Sequence, residues 1–202
     1  MFYCVVLQGL LIGFAIAAPV GPIGLLCIQR TLQRGQTSGF VSGLGAASAD
    51  AVYGGIAGFG LASLSGLLLN WGQELRWLGG LFLLHLGWRI FSAVPAERNP
   101  APRSTDLLGD YASTFVLTLT NPVTILAFIG IFTGLGLAAG ERNFTAAGLL
   151  VLGVFLGSLL WWLLLALAVG ALRQRLTPAA RRWLNRAAGA VIALFGALAL
   201  LG

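Results

Sequence analysis

The sequence predicts an all-α membrane protein: six transmembrane helices forming two inverted three-helix repeats, the first and fourth helices interrupted. Three observations carry this. Of 202 residues, 58% are hydrophobic and only 9% charged, with a mean hydropathy of +0.91; a soluble domain needs far more polar surface to cover its core. The charges are clumped, so that residues 1–29, 115–140 and 143–172 carry none and 36–60 carries Asp50 alone. Each run exceeds the roughly 20 apolar residues that span a bilayer as a helix. Finally, proline-containing breaks recur at matching places in the two halves.

The first span covers 3–28. Ala15-Ile16-Ala17 resembles a signal-peptide cleavage site, but residues 1–14 contain no Lys or Arg and the apolar run continues to Ile28. It is therefore read as a membrane helix. The second span, 38–62, continues a series that starts just before it, Gly35, Gly39, Gly43, Ala47, Ala51 and Gly55 at every fourth position, with Ala46, Asp50, Gly54 and Gly58 as a stripe beside them. Small residues let membrane helices approach closely, which places this span centrally. They also leave a homo-oligomer open, since such faces serve packing within and between chains alike.

The third span, 75–93, holds His85. A linker with Pro95, Pro100 and Pro102 follows over 94–112, where Ser104 and Thr105 ahead of Asp106 offer a helix cap. The fourth span is 113–138, the fifth 144–171 and the sixth 183–201. The repeats are thus 1–93 and 113–202. Trp161 and Trp162 of span five suit a cavity wall or a lipid-facing surface equally.

All twelve basic residues are Arg and lie between the apolar runs, which is a distribution of topology signals rather than of nucleic-acid contacts. Arg30, Arg34, Arg89, Arg98, Arg103, Arg173, Arg175, Arg181, Arg182 and Arg186 fall on one side, and only Arg76 and Arg142 on the other. The positive-inside rule then puts both termini on the periplasmic side of a bacterial inner membrane. Trp71 and Trp77 would lie at the outer interface and Trp183 at the inner one.

Asp50 is the sharpest chemical signal. An acidic group within a span is disfavoured by about 3 kcal/mol and normally faces the bundle interior to handle ions, protons or substrate. The competing reading is a buried carboxyl satisfied by Ser48, Tyr53 or a helix break. The second signal is the pair of breaks, Ala18-Pro19-Val20-Gly21-Pro22 in span one and Thr118-Leu119-Thr120-Asn121-Pro122 in span four. Proline removes a helix hydrogen bond and clashes with the preceding turn, freeing carbonyls that hydrocarbon cannot satisfy. Such carbonyls suit an ammonium, and the half-helix start beyond each break suits a carboxylate. Interrupted segments at corresponding places in two inverted halves point to a transporter's midplane site. His85, the only His, is a candidate second proton carrier by residue type, although a lone His on an apolar helix is more commonly a packing residue.

Three other functions fit less well. A thiol–disulfide carrier needs two cysteines that can meet, but Cys4 and Cys27 both lie in span one, about 34 Å apart on a continuous helix. A metal-ion exporter needs several oxygen ligands, and Asp50 is alone. An intramembrane protease built on Ser63 or Ser65 with His85 has nothing to assemble it, and a P-loop needs a Lys that this chain lacks.

Gly13, then Ala18-Pro19-Val20-Gly21-Pro22, Gly35, Gly39, Gly43-Leu44-Gly45 and Asp50, with Gly87 and Asn121-Pro122 further on, resemble the lysine-exporter (LysE/RhtB) family of amino-acid exporters over essentially the whole chain. The resemblance implies export of amino acids or related small zwitterionic solutes, driven by the proton motive force or membrane potential. It also implies that Pro19, Gly21, Pro22, Asp50, Asn121 and Pro122 line the path. Many members continue Asn-Pro with Lys; here Val123-Thr124 follows, which leaves the substrate class open. With Tyr53, Thr120 and Thr124 added, these residues form the expected substrate site, with Asp50 and His85 as proton-coupling groups. No catalytic residue, metal or cofactor is expected.

Overall fold

Helices alone make up the secondary structure of the residues described by the computed structural model: 2–19, 21–58, 72–92, 106–121, 124–125, 127–128, 144–173 and 177–201. They are α1 (Phe2–Ala17), α2 (Pro22–Arg34), α3 (Gln36–Gly58), α4 (Gly72–Ser92), α5 (Leu107–Leu119), α6 (Phe144–Arg173) and α7 (Pro178–Leu201). Among the described residues α6 alone is long and apolar enough to cross a bilayer by itself; α1 and α2 qualify together as one span bent by 80°. Residues 94–105 of the predicted linker 94–112, Ser63, Ser65, Trp71, Pro122, Val123 and the end of span four lie outside the described residues; residues 107–112 of that linker are instead the first turns of α5.

Local chemistry sets the boundaries. The first break falls where Pro19 and Pro22 interrupt the backbone ladder, and Pro22 occupies the first turn of α2, where its missing N–H is no loss. A single residue, Gly35, joins α2 to α3 with φ of 107°, in the left-handed region glycine adopts readily. Asp106 caps α5 by accepting from the Gly109 amide at 2.8 Å; Ser104 and Thr105 lie outside the described residues. Thr177 caps α7 through Ala180, with Pro178 at its first position.

Close backbone contacts orient the helices. Gly9, Gly13, Gly153 and Gly157 bring α1 and α6 together in parallel: a Cβ on Gly153 would strike Val6 O, and one on Gly157 would strike Leu10 O. α3 and α5 are also parallel, with Ser38 against Asp110 and Gly45 against Tyr111. α3 runs antiparallel to α6, matching Gln36 with Gly170, Gly43 with Trp162 and Gly54 with Val154. α4 and α7 are antiparallel through Gly80–Gly196 and Gly87–Gly189. The glycines thus act as sites of close approach, as expected for membrane helices, and α3 touches α2, α5 and α6, the central place expected of it.

Two apolar clusters fill the interior. One joins Ala17 and Ile23, on either side of the first break, to Ala46 and Ala47 of α3, Leu117 of α5 and Trp162 of α6. The other gathers Ile12, Tyr53, Ile125, Phe128, Leu150 and Val154. Both breaks are therefore built into the packing around the middle of α3.

Candidate functional site

Asp50 sits two-thirds of the way along α3, 3% exposed, against α6. Its Oδ2 accepts a hydrogen bond from the Ser158 hydroxyl at 2.6 Å. One turn further along α6, the Trp162 indole Nε1 donates to the same Ser158 oxygen at 3.1 Å. This three-residue chain places a carboxyl between α3 and α6. Among the described residues every ion pair involves Asp110, so no cation stands against Asp50. Among the described residues a single hydroxyl compensates an ionised carboxylate there.

The two side chains that the competing reading offered to Asp50 bond elsewhere. Ser48 Oγ returns to Leu44 O at 2.8 Å, within its own helix. Tyr53, buried beside the Phe128 ring, donates from its hydroxyl to Leu119 O at 2.5 Å. That carbonyl belongs to the last residue of α5, just before the second break, so Tyr53 ties the interrupted helix to α3. Ser158 was not singled out in the sequence, although it is the only hydroxyl between 146 and 172. Trp162 proves to be a core residue, 5% exposed, whereas Trp161 packs edge-on against Phe14.

At the first break Pro19 is exposed, Gly21 half-buried and Pro22 buried. Pro19 O accepts from the Gly21 amide at 2.9 Å, and Gly21 O from Leu25 at 3.0 Å. A local turn therefore engages these two carbonyls within the break. Among the described residues a Cβ on Gly21 would meet nothing within 4 Å. At the second break Thr120 Oγ1 returns to Val116 O at 2.9 Å, and Asn121 O accepts from Ile125 at 3.2 Å as helical backbone resumes. Thr124 is buried beside Ile125 and Phe128, the residues that pack on Tyr53.

His85 is not brought to this site. Its side chain is exposed on α4, the helix that pairs with α7. Cys4 is exposed and Cys27 buried, both as free thiols. Among the described residues no three metal-ligating side chains converge.

The sequence model of the family described as LysE type translocator matches residues 14–202, nearly the whole chain. The chain belongs to the LysE type translocator family. This translocator is 28% identical, over 94% of its length and 92% of the relative's, to a putative amino acid efflux protein, YcgF, of Bacillus subtilis (strain 168). It is 32% identical to the uncharacterized membrane protein YahN of Escherichia coli (strain K12), covering 83% of this chain and 76% of that one. A leucine efflux protein of Salmonella typhimurium is 29% identical over 59% of the translocator and 57% of its own length. No solved structure matches it. Its apolar helices are those of an integral membrane protein, and the match supports transport rather than catalysis.

Proposed function

We propose that this translocator exports amino acids or related small zwitterionic solutes from the cytoplasm, using Asp50 as the group that meets the substrate ammonium and the coupling proton. The observation that carries this reading is a buried carboxyl held by one neutral hydroxyl, between two helices and level with both breaks. A structural carboxylate at that depth calls for a resident cation; one that must exchange a proton or an ammonium needs that place left open. The names of the relatives, an amino acid efflux protein and a leucine efflux protein, support the same substrate class.

The proposed geometry has the substrate ammonium at Asp50 and its carboxylate at the start of α2, where the first amides of a helix lack intrahelical partners and Gly21 offers no side-chain cap. Asn121, Thr120 and Thr124 border the site from the second break. If one proton moves inward per substrate, each 100 mV contributes about 2.3 kcal/mol, or roughly fifty-fold in gradient.

The inverted-repeat reading has its own support. Exchanging α1 with α5, α3 with α6 and α4 with α7 turns the parallel α1–α6 pair into the parallel α5–α3 pair. The same exchange carries the antiparallel α3–α6 and α4–α7 pairs onto themselves. Periplasmic termini follow from the arginine distribution.

The test is efflux from liposomes preloaded with an amino-acid mixture under an imposed pH gradient, compared with Asp50→Asn. Selective, gradient-dependent loss of one solute class from the wild type, absent from the variant, is the expected result. Equal export by a folded Asp50→Asn protein would sink the role assigned to Asp50.

A further inference from the structure

A second polar cluster lies at the arginine-rich end of the bundle, apart from Asp50. Arg30 of α2 is 9% exposed and Asp110 of α5 is 1% exposed. Arg30 Nε pairs with Asp110 Oδ1 at 3.2 Å, and Arg34 Nη1 reaches the same oxygen at 2.7 Å. Ser38 of α3 donates to Asp110 Oδ2 at 2.5 Å. Arg30 Nη1 donates to Ser42 Oγ, Thr114 Oγ1 and Asp110 O at 2.7–2.8 Å, and Nη2 to Ser113 Oγ at 2.7 Å. The guanidinium and the carboxylate are close to saturated, yet every interhelical contact falls on three helices only, α2, α3 and α5.

Two of those are the half-helices created by the breaks. α2 begins at the first break and carries Arg30 about 12 Å from Pro22; α5 ends at the second and carries Asp110 about 15 Å from Thr120. Each abuts its break near the level of Asp50 and is fastened to the other at its far end. Ser42, on the same helix as Asp50, is about 12 Å from it along the axis. A buried ion pair adds little net stability compared with apolar packing, and its best-attested use is to specify one arrangement over another.

We propose that the Arg30–Asp110 cluster is a gate latch: closed here, it seals the arginine-rich end of the path, and it must part for substrate to pass between that end and Asp50. This rests on the transporter reading. On the arginine-based orientation that end is cytoplasmic, and the structure is the state closed to the cytoplasm. Arg34, with its side chain 48% exposed, is the member water reaches first.

The test uses the full-length protein carrying Cys4→Ser and Cys27→Ser, with spin labels at Thr37 and Leu108, both exposed at the starts of α3 and α5. With the latch intact, the pair gives one narrow distance in lipid. Asp110→Asn and Arg34→Gln each add a population longer by several ångström. Should Asp110→Asn not fold, Arg34→Gln carries the same measurement, because it leaves the Arg30 pair in place. A single unchanged distance in every variant that folds overturns the proposal. The measurement needs no substrate, so it separates a latch that does not open from a protein that does not carry amino acids.

A static staple is distinguished by Ser42→Cys with Thr114→Cys, whose native hydroxyls touch the same Arg30 nitrogen. Bridging these thiols with a short reducible cross-linker brings efflux of the preloaded amino-acid mixture down to that of protein-free liposomes, and reduction restores it. Efflux unaltered by reduction would mean that the cluster never opens and would overturn the latch.

Discussion

The Ser158 hydroxyl and the Asp50 carboxylate, 108 positions apart in sequence, meet at 2.6 Å across the α3–α6 contact. Ser158 is the only described side chain that holds this carboxyl by a hydrogen bond, so on the proposed role of Asp50 it sets how readily that group exchanges partners. Ser158→Ala strips the donor and leaves a buried acid unsatisfied, which destabilises by about 1–3 kcal/mol. The expected result is a lower melting temperature in detergent together with impaired gradient-driven efflux. Ser158→Thr keeps the hydroxyl and retains efflux. An alanine variant indistinguishable from wild type in both measurements would remove Ser158 from the site.

Tyr53→Phe tests the tie between α3 and the second break. The ring and its packing on Phe128 remain, while the bond to Leu119 O is lost. A net loss of about 1 kcal/mol is expected, with faster amide hydrogen exchange confined to the residues around Thr120. Exchange unaltered there would show that α5 holds its end without Tyr53.

The glycines divide into two classes with opposite responses. A Cβ on Gly13 would lie against Val154 O, and one on Gly87 against the backbone of Gly189 and Ala193. Gly13→Val and Gly87→Val should each destabilise by about 1–3 kcal/mol or prevent assembly, because rigid backbone must give way. Around Gly55 and Gly148 nothing described lies within 4 Å. Alanine at either is expected to be neutral or to stabilise by up to about 1 kcal/mol through helix propensity. Thermal unfolding of the four variants, compared side by side, checks the division.

The two thiols should react at very different rates. Cys4 is exposed and Cys27 is 2% exposed within the core. A small maleimide is expected to modify one thiol per folded chain quickly and the second only on denaturation, as counted by intact-mass spectrometry. Two equally fast thiols would contradict the packing of α2.

What could be read in the sequence depended on whether a residue contrasts with its neighbours. Asp50 stands out because it alone breaks an apolar stretch, and Pro19, Pro22 and Pro122 because proline cannot continue a helix. The close-packing role read from the fourfold spacing in span two holds for Gly39 and Gly43, while Gly55 meets nothing described within 4 Å. Ser158 gave little signal, since one hydroxyl in an apolar helix satisfies itself within the helix as easily as across it. Arg30 and Asp110 were invisible for a different reason. Each is an ordinary interfacial charge by position, and only the fold brings α2 against α5, 80 positions later, to turn two topology signals into one buried pair. The position of His85 in an apolar helix was legible, but its distance from Asp50 was not, because periodicity does not tell which neighbour a helix chooses.

The glycine pairs between α4 and α7 have a practical consequence. Gly80 with Gly196, and Gly87 with Gly189, set backbone directly on backbone at two points seven residues apart. Sliding one helix past the other by a single residue would drive a side chain into a main chain at both points at once, so this pair has one register and no neighbouring one to slip into. A fluorophore or spin label on each of these two helices therefore supplies a built-in ruler of constant length. Distances measured from it to α2 and α5 show which parts of the molecule travel and how far.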